Sequence, residues 1–248
     1  MSGSQTAEAA LLAWYEAMGV DETIGEAPVD YFAVPAPELP PARPVTQARP
    51  AQARSCFVRP SEAPTLAALE ALVAAFEGCA LKRTAKSLCF ARGSTEARLM
   101  LIGEAPGRDE DLQGKPFVGR AGRLLDLMLA AIGLSESEVY ITNTVYWRPP
   151  GNRTPTPEEV EACAPFLARQ IELLAPKILV LLGGAAAKNI LGVTEGIMRL
   201  RGKRLNYLCA AGAITTLATL HPAYLLRNPE AKRYAWRDLL MAKEALQA

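Results

Sequence analysis

The sequence has almost no excess charge, a single histidine and no closely spaced cysteine pair. Its 27 Lys and Arg residues nearly balance 26 Asp and Glu, for a formal net charge of +1. That balance argues against a histone-like protein or one that binds nucleic acid through a charged tail, although it allows a local basic patch. The five cysteines are odd in number and include no Cys-x-x-Cys pair, so the disulfide framework of a small secreted protein is not expected.

Long apolar runs are also lacking. No stretch approaches the roughly 18 apolar residues that a membrane span requires, and no basic segment followed by an apolar run opens the sequence. We therefore expect a soluble, cytoplasmic protein with no membrane segment.

The sequence divides into segments that differ in amino-acid composition. Residues 5–18 have the spacing of a short amphipathic helix, whereas residues from about 27 are rich in Pro and Ala and show no periodicity. We predict a helical extension over residues 1–26, a linker over 27–60 and a compact domain over 61–248. Whether the extension docks on this domain or on a partner is left open.

Within the predicted domain, apolar runs alternate with helical patterns. Buried strands are predicted over 98–103, 139–145, 177–183 and 214–220. Helices are predicted over 66–77, 120–133, 157–174, 185–191 and 229–247. This alternation is typical of an α/β fold, and we predict a three-layer α/β/α domain with a central, mainly parallel four-stranded sheet.

Polar or glycine-containing segments follow each predicted strand. The first strand runs into the glycine-rich segment 103–122, which opens Gly103-Glu104-Ala105-Pro106-Gly107, and the second ends at Asn143. Gly183 and Gly184 end the third, and His221 follows the fourth. Open α/β sheets bind ligands beyond the carboxyl ends of their strands, so we expect these residues to meet in one cleft.

Four ordered motifs carry a resemblance to a known family. They are the Gly-Glu-Ala-Pro-Gly loop with its Pro-Phe-Val-Gly continuation, the segments 141–159 and 181–192, and His-Pro-Ala-Tyr-Leu-Leu-Arg-Asn-Pro at 221–229. Over about 79–240, the chain resembles the family 4 uracil-DNA glycosylases of the uracil-DNA glycosylase superfamily. The resemblance implies an enzyme that hydrolyses the bond between uracil and deoxyribose in DNA.

That reaction develops positive charge on the sugar and negative charge on the leaving base. The resemblance assigns Glu104 to the sugar cation and the attacking water, and His221 to a hydrogen bond on the uracil oxyanion. It also places Gly103, Ala105, Glu110, Phe117 and Asn143 against the base. The alternative for Glu104 is a solvated loop acid, and a lone histidine is more often structural than catalytic.

The carboxamide of Asn143 suits uracil because it can accept from N3–H and donate to O4 in one plane. Cytosine presents the reverse pattern. Phe117 resembles the family aromatic that stacks on the base, and Glu110 matches the position that crowds C5 and disfavours thymine. Asn143 could instead cap a strand end, and Phe117 could be an ordinary core residue.

An enzyme that acts on a base in a duplex must flip it out. The segment Tyr224, Leu225, Leu226 and Arg227 resembles a wedge with a phosphate contact, although at least one of the two leucines could face the core. Further DNA contacts are expected from Arg120, Arg148, Arg153 and Gly184.

The cysteines depart from the family pattern. Family 4 members hold a [4Fe–4S] cluster with four cysteines, of which Cys79 and Cys163 are present here. Lys82 and Trp147 occupy the other two positions, and Cys89 lies nearby. Two thiolates do not hold such a cluster in the usual way. We expect no cluster and no other metal, with Lys82 and Trp147 forming a cationic and aromatic plug.

The sequence therefore predicts a monomeric, monofunctional uracil-DNA glycosylase. Two alternatives remain open at this point. One is a superfamily glycosylase for another deaminated or damaged base, and the other is a non-catalytic DNA-binding module.

Overall fold

The computed structural model describes residues 59–210 and 212–247. The predicted helix over 5–18 and all but the last two residues of the predicted linker over 27–60 lie outside these ranges.

A mixed sheet forms the centre of the described residues. Its strands are β1 (Arg92–Gly93), β2 (Leu99–Gly103), β3 (Val139–Asn143), β4 (Ile178–Leu182), β5 (Arg204–Cys209) and β6 (Gly212–Thr219), in the spatial order β1-β3-β2-β4-β6-β5. Strands β3, β2, β4 and β6 are parallel, whereas β1 and β5 pair antiparallel at the two edges. The parallel centre and the α/β class are confirmed, but the predicted count of four strands is wrong because both edge strands were missed.

The helices are α1 (Leu66–Ala75), α2 (Arg108–Gln113), α3 (Arg120–Ala131), α4 (Pro157–Leu174), α5 (Gly184–Leu191), α6 (Ile197–Leu200), α7 (Pro222–Arg227) and α8 (Lys232–Gln247). Short 3-10 helices occupy Pro60–Glu62, Ala80–Arg83, Glu136–Glu138, Pro150–Asn152 and Pro229–Ala231. None of the helices in the described ranges is long and apolar enough to cross a membrane.

Helix α4 begins where the sequence predicts it to. The Thr156 hydroxyl accepts from the Glu159 N–H, the Glu159 carboxylate accepts from the Thr156 N–H, and Pro157 holds the first helical position. This capping box satisfies amides that the helix itself leaves unpaired.

Helices cover both faces of the sheet. Alternate residues of β2 point to opposite sides, so Met100 and Ile102 pack in a cluster with α4 and α5, whereas Leu99 and Leu101 pack with α3 and α8. Every residue of β2, β3 and β4 is buried. This three-layer arrangement leaves the carboxyl ends of the parallel strands open at one edge.

Candidate active site

Two neighbouring strands end side by side at Gly103 and Asn143, which pair in the β2–β3 register. The Asn143 side chain is 1% exposed, and its Oδ1 and Nδ2 atoms have no hydrogen-bond partner. A Cβ atom at residue 103 would overlap Asn143 Oδ1 and lie 2.5 Å from Phe117 Cζ. Glycine at 103 is therefore required for Asn143 and Phe117 to lie together.

Phe117 adopts a backbone conformation that phenylalanine rarely takes. Its φ is +56°, in the left-handed region, and a Cβ at Gly122 would overlap its carbonyl oxygen. The side chain is nearly buried, and its ring centroid lies 5.6 Å from that of His221. The ring thus lies beside His221, and backbone strain of this kind clusters at active sites and ligand clamps.

His221 follows β6 and caps α7. Its Nδ1 accepts from the Ala223 N–H at 3.1 Å, so the neutral ring carries its proton on Nε2. Burial, assisted by the positive charge of Arg227, lowers the pKa of His221 to about 4. Gly183, at φ +96°, lets β4 pass close to this ring, since a Cβ there would lie 3.0 Å from His221 Cβ. His221 is therefore a neutral donor near pH 7.

A cleft of about 500 Å³ opens at these strand ends, and Glu104 and His221 both line it. Glu104 is partly exposed, and its carbonyl oxygen accepts from Thr144 Oγ1 at 2.6 Å. The predicted residues Ala105, Arg153, Tyr224 and Arg227 also line the cleft, whereas Gly103, Phe117 and Asn143 are not among its lining residues. The arrangement offers a carboxylate and a neutral imidazole to one bound molecule.

Glu110 connects two loops. One carboxylate oxygen accepts from the Gly107 N–H at 3.1 Å, and the other accepts from the Gly119 N–H at 2.9 Å. Glu110 therefore fixes the loop that follows Glu104 to the loop that carries Phe117. It is not among the residues that line the cleft, so its predicted contact with C5 of the base stays a prediction.

The loop that contributes Pro149, Asn152, Arg153 and Thr154 to the cleft is held in place by polar contacts. Arg153 forms a bidentate ion pair with Glu159, at 2.8 and 2.6 Å. Arg148 Nε donates to Asn152 Oδ1 at 2.7 Å. Both arginines, predicted as DNA contacts, thus have protein partners here. Asn152 was missed by the sequence reasoning, although the Pro-Pro-Gly-Asn run signals a turn and Asn152 adopts φ +56°.

The predicted wedge needs a correction at Leu225. Its side chain is 1% exposed and packs with Leu220, Ala231 and Ala235, because it faces inward from α7. Leu226 is 38% exposed and Tyr224 is 40% exposed. Arg227, at the end of α7, is also exposed, so the contact of these three side chains with DNA stays a prediction.

The remaining predicted DNA contacts begin helices. Arg120 is the first residue of α3, and its side chain is exposed. Gly184 is the first residue of α5, and a Cβ there would contact Ile197 at 3.6 Å. Neither residue lines the cleft of Glu104 and His221, so their contact with DNA stays a prediction.

Cys79 and Cys163 lie together, with their sulfur atoms 4.0 Å apart, in a buried apolar cluster. Cys89 is directed elsewhere, since its thiol donates to the Glu110 carbonyl oxygen at 3.2 Å. Within the described ranges, no group of three or more His, Cys, Asp or Glu side chains is arranged to hold a metal ion. Two thiols do not match the four cysteines that a [4Fe–4S] cluster takes, so these residues do not fit that group.

The two substituted positions do not form the predicted cationic and aromatic plug. Lys82 donates to the Ala74 carbonyl oxygen at 2.7 Å and pairs with Glu77, at the end of α1. Trp147 is buried and meets Tyr146 edge-on, with ring centroids 6.2 Å apart. Trp147 is packed in the interior as predicted. The Lys82 ammonium group instead binds the Glu77 carboxylate and the Ala74 carbonyl oxygen near the end of α1.

Comparisons with known proteins place these features in a family. The model of the uracil DNA glycosylase superfamily matches residues 90–242. The type-4 uracil-DNA glycosylase of Archaeoglobus fulgidus is 44% identical over 156 residues, which cover 61% of this chain and 78% of that protein. The type-4 enzyme of Thermotoga maritima is 40% identical over 172 residues, covering 68% and 88%.

The chain is also similar to type-5 uracil-DNA glycosylases. A type-5 uracil-DNA glycosylase of Thermus thermophilus is 37% identical over 114 residues, covering 40% of this chain and 52% of that protein. The family model's matched residues, 90–242, contain the strand ends, the residues that line the cleft, and Glu110 with the two loop amides that it binds. The chain therefore belongs to the uracil-DNA glycosylase superfamily.

Proposed function

We propose that this protein is a monofunctional uracil-DNA glycosylase that flips uracil out of DNA, hydrolyses its N-glycosidic bond and leaves an abasic site for base excision repair. One observation carries the proposal. Asn143 presents a buried carboxamide with two unpaired polar atoms beside the Phe117 ring. Buried polar groups are nearly always hydrogen-bonded, so such a pair points to a ligand with complementary atoms.

Uracil supplies that complement. Oδ1 of Asn143 would accept from N3–H, and Nδ2 would donate to O4. With the amide held in that orientation, cytosine would leave both amide atoms facing like groups, at about 1–3 kcal/mol for each unsatisfied group. The Phe117 ring would stack on the base, which adds about 1–3 kcal/mol of sequence-tolerant binding.

Bond cleavage would use the two cleft residues on opposite sides of the scissile bond. The Glu104 carboxylate would stabilise the sugar cation and orient the attacking water. His221 would donate its Nε2 proton in a hydrogen bond to uracil O2, where negative charge grows. Because His221 is already neutral near pH 7, it needs no proton loss or gain before this step.

Access to a duplex would depend on α7. Tyr224 and Leu226 are exposed, Tyr224 and Arg227 line the cleft, and Arg227 supplies a positive charge at the helix end. Insertion of these side chains between base steps would offset the cost of unstacking the target nucleotide. We also infer that the enzyme acts as a monomer and in the cytoplasm, because a flipping enzyme needs one free face and access to DNA.

We further propose that the enzyme works without an iron–sulfur cluster. The ligand set is reduced to the Cys79 and Cys163 pair, and Lys82 is engaged by Ala74 and Glu77. The residues of the cleft do not include either cysteine. The purified protein should be colourless, and a chelator should leave its thermal midpoint unchanged. A brown protein with stoichiometric iron and sulfide would refute this proposal while leaving the glycosylase proposal intact.

Excision of uracil from a fluorescent oligonucleotide tests the function. Strand cleavage is expected only for the uracil-containing strand, only after alkali, and equally with a chelator present. Glu104→Ala and His221→Ala should each slow single-turnover excision by at least about 100-fold. Glu96→Ala, an exposed acid, serves as the control and should match the wild type. Tight DNA binding with no uracil release would overturn the proposal.

A further inference from the structure

Cys79 and Cys163 form a buried pair that does not line the cleft. Cys79 and Cys163 are separated by 84 positions in sequence, and their sulfur atoms lie 4.0 Å apart. It is the one thiol–thiol contact within that distance in the described part of the chain, where Cys89 and Cys209 instead donate to carbonyl oxygens. We propose that Cys79 and Cys163 are a modification site at which a hydroperoxide forms a reversible disulfide.

The surroundings favour a bond between these two sulfurs over other products. Both side chains are at most 1% exposed and lie among Leu81, Tyr146 and Trp147. A disulfide is an apolar group, so it suits this cluster, whereas a sulfinic or sulfonic acid would place an unpaired charge there.

A disulfide requires the two side chains to move closer. Bond formation brings the sulfurs from 4.0 Å to about 2.05 Å. Cys163 lies inside the 18-residue helix α4, which fixes its backbone. Cys79 has an extended backbone and precedes the 3-10 helix Ala80–Arg83, to which it is tied by the Lys82 N–H bond to its carbonyl oxygen at 3.2 Å. The movement therefore falls mainly on Cys79.

The reaction balances with a hydroperoxide as the oxidant. One thiolate attacks the terminal peroxide oxygen, the O–O bond breaks, and a sulfenic acid and an alcohol form. The second thiol then attacks the sulfenic sulfur, the S–S bond forms and water leaves. The two thiols lose two electrons and two protons in all, and a small dithiol reverses the change.

The disulfide would join the turn after α1 to α4. A cross-link between residues so far apart in sequence restricts the unfolded chain strongly, so oxidation should raise the thermal midpoint by about 5 °C or more. The pair does not line the cleft, so uracil excision should be unchanged within about twofold.

Mass spectrometry of the full chain tests the proposal. A Cys56→Ser, Cys89→Ser, Cys209→Ser variant keeps only the pair, and treatment with hydrogen peroxide should lower its mass by 2 Da and yield one cross-linked peptide. Dithiothreitol should restore both the mass and the lower thermal midpoint. Adding Cys163→Ser should abolish the cross-link and leave Cys79 open to alkylation after unfolding.

The wild-type chain gives a second readout that does not depend on any variant folding. Cys209 is partly exposed, so its oxidation reports that the peroxide is active. Recovery of Cys79 and Cys163 as free thiols under conditions that oxidise Cys209 would overturn the proposal. Oxidation of Cys79 or Cys163 to a sulfinic acid would also overturn it, and so would the finding that the two thiols bind iron.

Discussion

At the scale of single residues, the site depends on groups held in states they would not adopt in water. His221 is kept neutral by burial and by Arg227. Asn143 keeps both polar atoms of its amide without partners inside the protein. Phe117 holds a left-handed backbone conformation. Each of these costs folding free energy, and each is explained if a planar base with polar edges binds between them.

The protonation of His221 gives a direct prediction. It is the only histidine of the chain, so its NMR signals need no assignment by mutation. The imidazole should titrate near pH 4 rather than near 6.5, the value of an exposed histidine. A midpoint at or above 6.5 would show that burial does not hold the ring neutral.

The same shift fixes the sign of a pH effect on stability. Between pH 6.5 and about 4 the unfolded chain binds more protons at His221 than the folded one does. The contribution of this residue to the free energy of unfolding should therefore fall as the pH drops through that window. It should not change with pH above about 7. Replacing His221 with Gln should remove this part of the pH dependence, which urea unfolding at several pH values would measure.

Base selection belongs to the same scale. Asn143→Asp should lower uracil excision by at least about 10-fold, because the carboxylate cannot donate to O4 and repels it. Single-turnover rates on uracil, cytosine and thymine would measure the change in preference. Asn206→Asp, at an exposed position of edge strand β5, provides the matched control. Unchanged uracil excision by Asn143→Asp would contradict the assignment of Asn143.

At the scale of elements, the loops around the cleft are fixed by carboxylates placed at helix starts. Glu110, in the first turn of α2, accepts from two loop amides. Glu159, in the first turn of α4, accepts from Thr156 and pairs with Arg153. Helix N-termini favour negative charge, so each carboxylate stabilises its helix while it positions a neighbouring loop.

Removing one such carboxylate should affect the loop and the helix together. Glu159→Ala should lower the free energy of unfolding by about 1–2 kcal/mol through loss of the capping box. It should raise KM for DNA more than it lowers kcat, since Arg153 lines the cleft and the proposed bond-breaking step uses Glu104 and His221 instead. Glu161→Ala, an exposed acid two residues along α4, is the control for the charge change. Equal stability of the two variants would contradict this role.

Helix α7 offers a comparison between adjacent leucines. Leu225→Ala should cost about 2–5 kcal/mol of stability, because a fully buried side chain is lost. Leu226→Ala should change stability by less than about 1 kcal/mol and should slow excision from duplex DNA more than from a single strand. Denaturant unfolding and paired excision rates would measure both. The reverse assignment of the two effects would contradict the orientation of α7.

At the scale of the whole molecule, some features follow from the sequence and others depend on tertiary context. The parallel centre follows from continuous apolar runs such as Leu99–Ile102, which suit strands covered on both faces. Edge strand β5 was missed because it is not a continuous apolar run, although the alternation of polar and apolar residues over Arg204–Tyr207 is the pattern of a half-buried strand. Strand β1 has only two residues and forms no pattern at all.

The candidate site shows the same division. Glu104, Asn143 and His221 were predicted to lie together because parallel strands deliver their carboxyl ends to one edge. The orientation of Leu225 was not decidable, since both leucines lie in one six-residue helix and either could face the core. The partners of Arg153 and Glu110 were also out of reach, because they join loops whose relative placement only the folded chain defines.

The most direct test is one measurement on the purified full-length protein. It is incubated with duplex DNA that contains one uracil, and free uracil, abasic strand, nicked strand and protein-bound iron are quantified in the same sample. The account predicts one free uracil for each abasic strand, no nick before alkali and no iron. Failure to release uracil would contradict the glycosylase assignment, and release that depends on stoichiometric iron would contradict a cluster-free mechanism.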